Sequence, residues 1–175
     1  FAAQTVRLSS ILQKTSENSD SGQVDFQRSR QFLVLMPLIE IVWADGRVSR
    51  REMDAIMKVA EAYGLVEDEA GYRKVAERLL SRPAPNEVEQ IWGEFQCFID
   101  ELPNCEREIV TFSLLAQAQF IAEQSAENIK GFLRGERIYQ DAKEALCIVA
   151  ERLKNAKNAV RENQIENFIA SLTEN

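Results

Sequence analysis

The stretch LIEIVWADGRVSRRE, residues 38–52, joins an apolar segment to a turn and then to the start of a second helix. Asp45-Gly46 offers a turn, with Gly46 just past a helix end, where a left-handed residue is common. Ser49 and Glu52 have the spacing of a capping box, in which each side chain accepts a hydrogen bond from the other residue's backbone amide. The stretch therefore predicts a helix that ends near residue 44 and another that begins after Ser49.

Apolar residues with helical spacing continue on both sides of this turn. Residues 26–44 are apolar almost all round, which is typical of a helix at the centre of a domain. Pro37 should kink this helix unless the helix begins near it. No segment alternates apolar and polar residues long enough to predict a strand. The other predicted helices cover about 50–64, 67–81, 86–101, a long segment after 104, 139–154 and 157–172, with a loop at 125–138 that contains Gly131 and Gly135.

The composition is that of an ordinary globular domain, with few turn-forming residues. The chain has 175 residues, 45% of them hydrophobic, and a formal net charge of -7. Residues 1–24 are predicted to form a short helix and a flexible connector, and residues 25–175 a single all-α domain of about seven or eight helices. Val59-Ala60-Glu61 recurs as Val149-Ala150-Glu151. Duplication into two pseudo-repeated halves and a generic amphipathic pattern both explain this recurrence.

Residues 38–65 resemble the TerB-like family, which is named for bacterial tellurite-resistance proteins. The shared pattern is an apolar helix, Ala44-Asp45-Gly46, the aliphatic Val48 and then Glu52. Residues 53–65 look like the second helix of the family and its glycine stop. The resemblance implies an all-helical fold and, in some members, a proposed cation site built from acidic side chains. It implies no particular chemical reaction.

Three carboxylates near the turn, Asp45, Glu52 and Glu40, are candidate metal ligands. Carboxylate oxygens suit a hard divalent cation. In the alternative interpretation, Asp45 bonds its own turn and Glu52 closes the capping box, which explains both spacings without a metal. An EF-hand frame that starts at Asp45 has Ile56 where the bidentate glutamate belongs. The capping interpretation is therefore favoured, and a divalent cation is the alternative.

Several function classes are disfavoured by the residues present. The chain has no histidine, which excludes histidine-based catalysis and histidine-ligated zinc. The segment Gly131–Gly135 lacks the Lys-Ser/Thr pair of a phosphate-binding loop. The negative net charge and the lack of a known motif argue against nucleic acid. The three cysteines form no CxxC pair, and they are expected to be buried thiols in a reducing compartment.

These observations predict a non-enzymatic, cytoplasmic TerB-like module for interaction or stress response, with a protein partner and no resident cofactor. The alternative is a divalent-cation sensor that binds between Asp45 and Glu52. The longest apolar run, residues 32–39, is too short to span a bilayer, so no direct membrane insertion is expected. Six aromatic residues are predicted to fill the core or, alternatively, a partner groove: Trp43, which stands beside the turn, Trp92, Phe95, Phe98, Phe112 and Phe120.

Overall fold

The computed structural model describes residues 8–12, 22–126, 132–154 and 162–173, and these residues form helices joined by short turns. The helices are α1 (8–12), α2 (Gly22–Val42), α3 (Arg50–Ala62), α4 (Glu69–Leu80), α5 (Pro85–Glu101), α6 (Asn104–Ala126), α7 (Phe132–Lys154) and α8 (Glu162–Thr173). The described residues include no strand. The prediction of an all-helical fold with seven or eight helices is confirmed.

Helix α2 lies at the centre of the bundle, where its apolar sequence predicts it. It contacts α3, α5, α6 and α7, and Leu35, Leu38 and Ile39 are fully buried. The helix continues through Pro37, so a helix that begins at this proline is the wrong alternative. Proline cannot donate the usual hydrogen bond to the carbonyl of Leu33. Burial of the apolar residues on either side outweighs the loss of that bond.

The turn between α2 and α3 has the local structure that the sequence predicts. Gly46 has a φ of 84°. The backbone amide of Ser49 donates to Oε2 of Glu52 at 2.7 Å. The amide of Glu52 donates to the Ser49 hydroxyl oxygen at 3.3 Å. The capping box is therefore confirmed.

The predicted loop over residues 125–138 is wrong in its second half. Helix α6 ends at Ala126 and α7 already begins at Phe132, so that Gly135 lies inside a helix; residues 127–131 are outside the described residues. A glycine in a helix interior costs about 1 kcal/mol relative to alanine. The apolar stripe of the long helix α7, which packs on α6 and α2, outweighs that cost.

The cysteines are not buried, contrary to the prediction. Cys97 and Cys105 are exposed and Cys147 is half-buried, and none of the three forms a disulfide. On α5 the buried residues Phe95, Phe98 and Ile99 define the inner face, and Cys97 falls on the opposite side of the same turn. The position of Cys97 on the helix, rather than the general tendency of cysteine to be buried, therefore explains its exposure.

The first described residues belong to the same core as the rest of the chain. Leu8, Ile11 and Leu12 of α1 are buried, and α2 begins at Gly22, inside the segment predicted as 1–24. Residues 13–21, which fall in the segment predicted as a short helix and a flexible connector, lie outside the described residues. None of the described helices is both long enough and apolar enough to cross a membrane. The pseudo-repeat of two halves stays a prediction.

Candidate functional site

The three predicted metal ligands take part in separate interactions. Oδ1 of Asp45 accepts a hydrogen bond from the amide of Arg47 at 3.1 Å, and its Oδ2 lies 3.8 Å from Nε of the same arginine. Glu52 belongs to the capping box and is 4% exposed. Oε2 of Glu40 accepts a hydrogen bond from Nε1 of Trp92 at 2.7 Å. Across the described ranges, no three or more cysteine, aspartate or glutamate side chains are grouped so that they could hold a metal ion.

A cleft of about 490 Å³ lies where α2, α5 and the loop between α4 and α5 meet. This volume is within the usual range of small-molecule sites, about 300–1,000 Å³. The lining is mostly apolar and includes four charged side chains. Its residues are Met36, Pro37, Glu40, Trp43, Arg82, Pro83, Pro85, Val88, Glu89, Ile91, Trp92, Phe95 and Arg152. We call this feature the tryptophan cleft, because the two tryptophans of the chain both line it.

Both indole rings are held in place by hydrogen bonds within the protein. Nε1 of Trp43, at the end of α2, donates to the backbone carbonyl of Arg78 at 2.9 Å. Trp92 is 6% exposed, and its Nε1 donates to Glu40. The ring of Trp92 meets the ring of Phe95 edge to face, with centroids 5.5 Å apart and an interplanar angle of 86°. The aromatic part of the lining is therefore preformed.

The loop between α4 and α5 forms one wall of the cleft and is fixed at both ends. The backbone carbonyl of Arg78 accepts the Trp43 hydrogen bond, and the guanidinium of Arg78 pairs with Glu87 on the far side of the loop. The hydrogen bond from this guanidinium lowers the pKa of the Glu87 carboxyl below its ordinary value. Pro83 and Pro85 restrict the backbone further, and Pro85 stands in the first turn of α5, where a proline is well tolerated.

One guanidinium group already packs against the tryptophan cleft. Arg152 of α7 places its guanidinium carbon 5.0 Å from the centroid of the Trp92 ring, and its Nη2 lies 2.6 Å from Oε1 of Glu89. The negative face of an indole attracts such a cation. The backbone carbonyl of Arg152 also accepts a hydrogen bond from Gln96 at 3.0 Å. Trp92 and Glu89 together therefore bind an organic cation that belongs to the protein itself.

The other two charged side chains of the lining have no ion-pair partner among the described residues. Glu40 is half-buried and makes the single hydrogen bond to Trp92. Arg82 is exposed on the loop. The cleft thus combines a preformed apolar surface with one half-buried carboxylate that forms no ion pair with a described residue, and with the exposed guanidinium of Arg82.

Sequence reasoning placed Glu40 at the turn as a candidate metal ligand, and it assigned Trp43, Trp92 and Phe95 to the core or a partner groove. The cleft itself was missed because its walls come from α2, the loop after α4, α5 and α7. The closely spaced prolines and tryptophan between residues 83 and 92 are the signal that could have marked one wall. Comparison with protein-family models, curated proteins and solved structures finds no match for this chain. The geometry of the tryptophan cleft is therefore the basis for a functional proposal.

Proposed function

We propose that this chain is a non-enzymatic binding module of the TerB-like type, and that the tryptophan cleft is its binding site. The TerB-like part of the proposal rests on the sequence of residues 38–65. The binding part rests on the cleft. The protein partner and the cytoplasmic location expected from the sequence stay predictions, and such a partner can reach the cleft with an apolar side chain.

The observation that carries the proposal is a preformed cleft of about 490 Å³ with a mostly apolar lining. A ligand that covers apolar surface gains about 25 cal/mol for each Å² removed from water. Proline rings and hydrogen-bonded indoles have little conformational freedom left to lose, so the ordering of these side chains subtracts little from this gain on binding. A cleft built in this way favours the uptake of an apolar group.

The polar groups of the cleft suit recognition better than catalysis. The Glu40 carboxylate accepts from Trp92 and the Glu89 carboxylate pairs with Arg152. Guanidinium groups remain charged in proteins, and that of Arg82, which is exposed, can donate to a ligand. These groups can orient a bound molecule, and we therefore assign the cleft a binding role.

The test uses the two tryptophans as reporters. Because both line the cleft, tryptophan emission during a titration with 1-octanol reports occupancy of this site. We expect a saturable change in emission. Val88→Phe places a larger ring in the lining and should weaken the binding several-fold, whereas Val66→Phe makes the same change at a half-buried valine outside the lining and should not.

Thermal melting of each variant verifies that it is folded. A wild-type signal that does not saturate up to the solubility limit of 1-octanol contradicts a binding site at the cleft. Equal affinity in folded Val88→Phe and wild-type protein contradicts the location of the site.

A further inference from the structure

Glu40 brings to one face of α2 a carboxylate that forms no ion pair with a described residue. Met36, Glu40 and Trp43 are spaced four and three residues apart, so they share a helix face, and all three line the tryptophan cleft. The hydrogen bond from Trp92 uses Oε2 of Glu40. Its Oε1 has no hydrogen-bond or ion-pair partner among the described residues. A half-buried carboxylate with an unused acceptor is stabilised by a cation that reaches it.

The neighbouring Arg152 shows how this lining binds an organic cation. Its guanidinium packs on the ring of Trp92 at 5.0 Å and pairs with Glu89 at 2.6 Å. Glu40 and the indole of Trp43 also bring a carboxylate and an aromatic ring to the cleft lining, and among the described residues neither has an ion pair or cation–π contact. The net charge of -7 also favours the approach of a cation over that of an anion.

We infer that the tryptophan cleft takes a small organic ammonium ion with an apolar body, and that Glu40 binds its ammonium group. The apolar body packs on the side chains of Met36, Val88 and Phe95, which line the same cleft. The cleft volume of about 490 Å³ matches a free small molecule. This inference rests on the proposed binding function and adds the charge of the ligand and the residue that selects it.

Three probes with the same eight-carbon chain separate charge from apolar contact: octylammonium, 1-octanol and octanoate. The three probes do not absorb at the wavelengths at which tryptophan absorbs and emits. Tryptophan emission can therefore follow all three titrations, at pH 7 and low salt. We expect octylammonium to bind at least tenfold more tightly than 1-octanol, and octanoate to bind most weakly. Added salt should reduce the preference for octylammonium in the wild-type protein, because it screens a charge that is only half-buried.

Two variants locate the selectivity. Glu40→Gln keeps a side-chain oxygen for the Trp92 hydrogen bond and removes the charge, so the octylammonium preference should fall below about threefold. Glu77→Gln removes one charge at an exposed glutamate of α4 outside the lining and should keep the wild-type preference. Melting curves show whether both variants are folded, and the salt dependence of the wild-type protein tests, without a substitution, whether the preference is electrostatic.

The outcomes distinguish this inference from the proposed function. Saturable binding of all three probes with equal affinity, or tightest binding of octanoate, overturns the ammonium inference and leaves the binding function standing. A preference for octylammonium that persists in folded Glu40→Gln overturns the role of Glu40. Failure of every probe to bind contradicts the proposed function itself.

Discussion

Substitutions at Ser49 and Glu52 separate the two hydrogen bonds that begin helix α3. The bond to the Ser49 hydroxyl is long, at 3.3 Å, compared with about 2.9–3.0 Å for a common N–H···O bond. Ser49→Ala should therefore cost near the lower end of the range for an N-cap, about 0.5–1 kcal/mol. The bond to the Glu52 carboxylate is short, at 2.7 Å, and its acceptor is charged. Glu52→Ala should cost more, about 1.5–3 kcal/mol.

Urea unfolding followed by circular dichroism measures these differences in the free energy of unfolding. Glu52→Gln retains an oxygen that can complete a capping box, so it should lose less stability than Glu52→Ala. In a domain of this size, 1 kcal/mol corresponds to a shift of about 2–4 °C in Tm. The losses should be the same in a chelator and in millimolar Ca²⁺ or Mg²⁺.

Two results refute this reasoning. If Ser49→Ala costs more than Glu52→Ala, the hydrogen-bond geometry does not determine the stability of this cap. If divalent cations raise the Tm of the wild-type protein and Asp45→Asn abolishes the rise, the cation sensor is the better interpretation of the turn.

Three further predictions concern the core, the turn and one ion pair. Leu35→Ala should lower the free energy of unfolding by about 2–5 kcal/mol, because Leu35 is fully buried at the centre of the bundle; an unchanged urea midpoint contradicts its place in the core. Gly46→Ala should cost about 1–2 kcal/mol, because alanine disfavours the φ of 84°. No atom lies within 4 Å of the added methyl, so a clash does not contribute to this cost. The same change at Gly93 of α5, also in open space, should stabilise the protein by about 0.5–1 kcal/mol. If Gly46→Ala and Gly93→Ala shift the Tm in the same direction, the conformational explanation is wrong. The pKa of Glu87 is lowered by Arg78, so the contribution of their pair is fully present above the ordinary value of 4.5 and is lost as pH falls through the lowered pKa. The difference in unfolding free energy between wild type and Glu87→Gln should therefore shrink as the pH falls below 4.5. A difference that stays constant over this pH range shows that the Arg78–Glu87 pair does not cause it.

The turn was predictable because its interactions are local. Gly46, Ser49 and Glu52 lie within seven residues of one another, and a left-handed glycine and a capping box depend on the backbone of the turn itself. The position of α2 was predictable for a related reason, since a helix that is apolar on all sides is stable only when other helices surround it.

The tryptophan cleft depends on contacts between distant segments, and no local pattern specifies these. Glu40 stands five residues before Asp45 in sequence, which suggested a shared site at the turn. Helical geometry instead places Glu40 on the face of α2 with Met36 and Trp43, opposite Trp92 of α5. The wrong prediction of a loop at Gly135 has a similar origin. Glycine is a local indicator of a loop, whereas the packing of α7 on α6 depends on residues that are distant in sequence.

The most direct test of the central claim, that the tryptophan cleft is a binding site, is a ¹H–¹⁵N spectrum recorded during a titration with 1-octanol. The chain has two tryptophans and both line the cleft, so the spectrum contains two indole N–H signals that report on this site. We predict that both signals shift and saturate with one Kd, while the amides of Ser49 and Glu52 do not move. Saturable shifts elsewhere in the spectrum with both indole signals unmoved would contradict the claim.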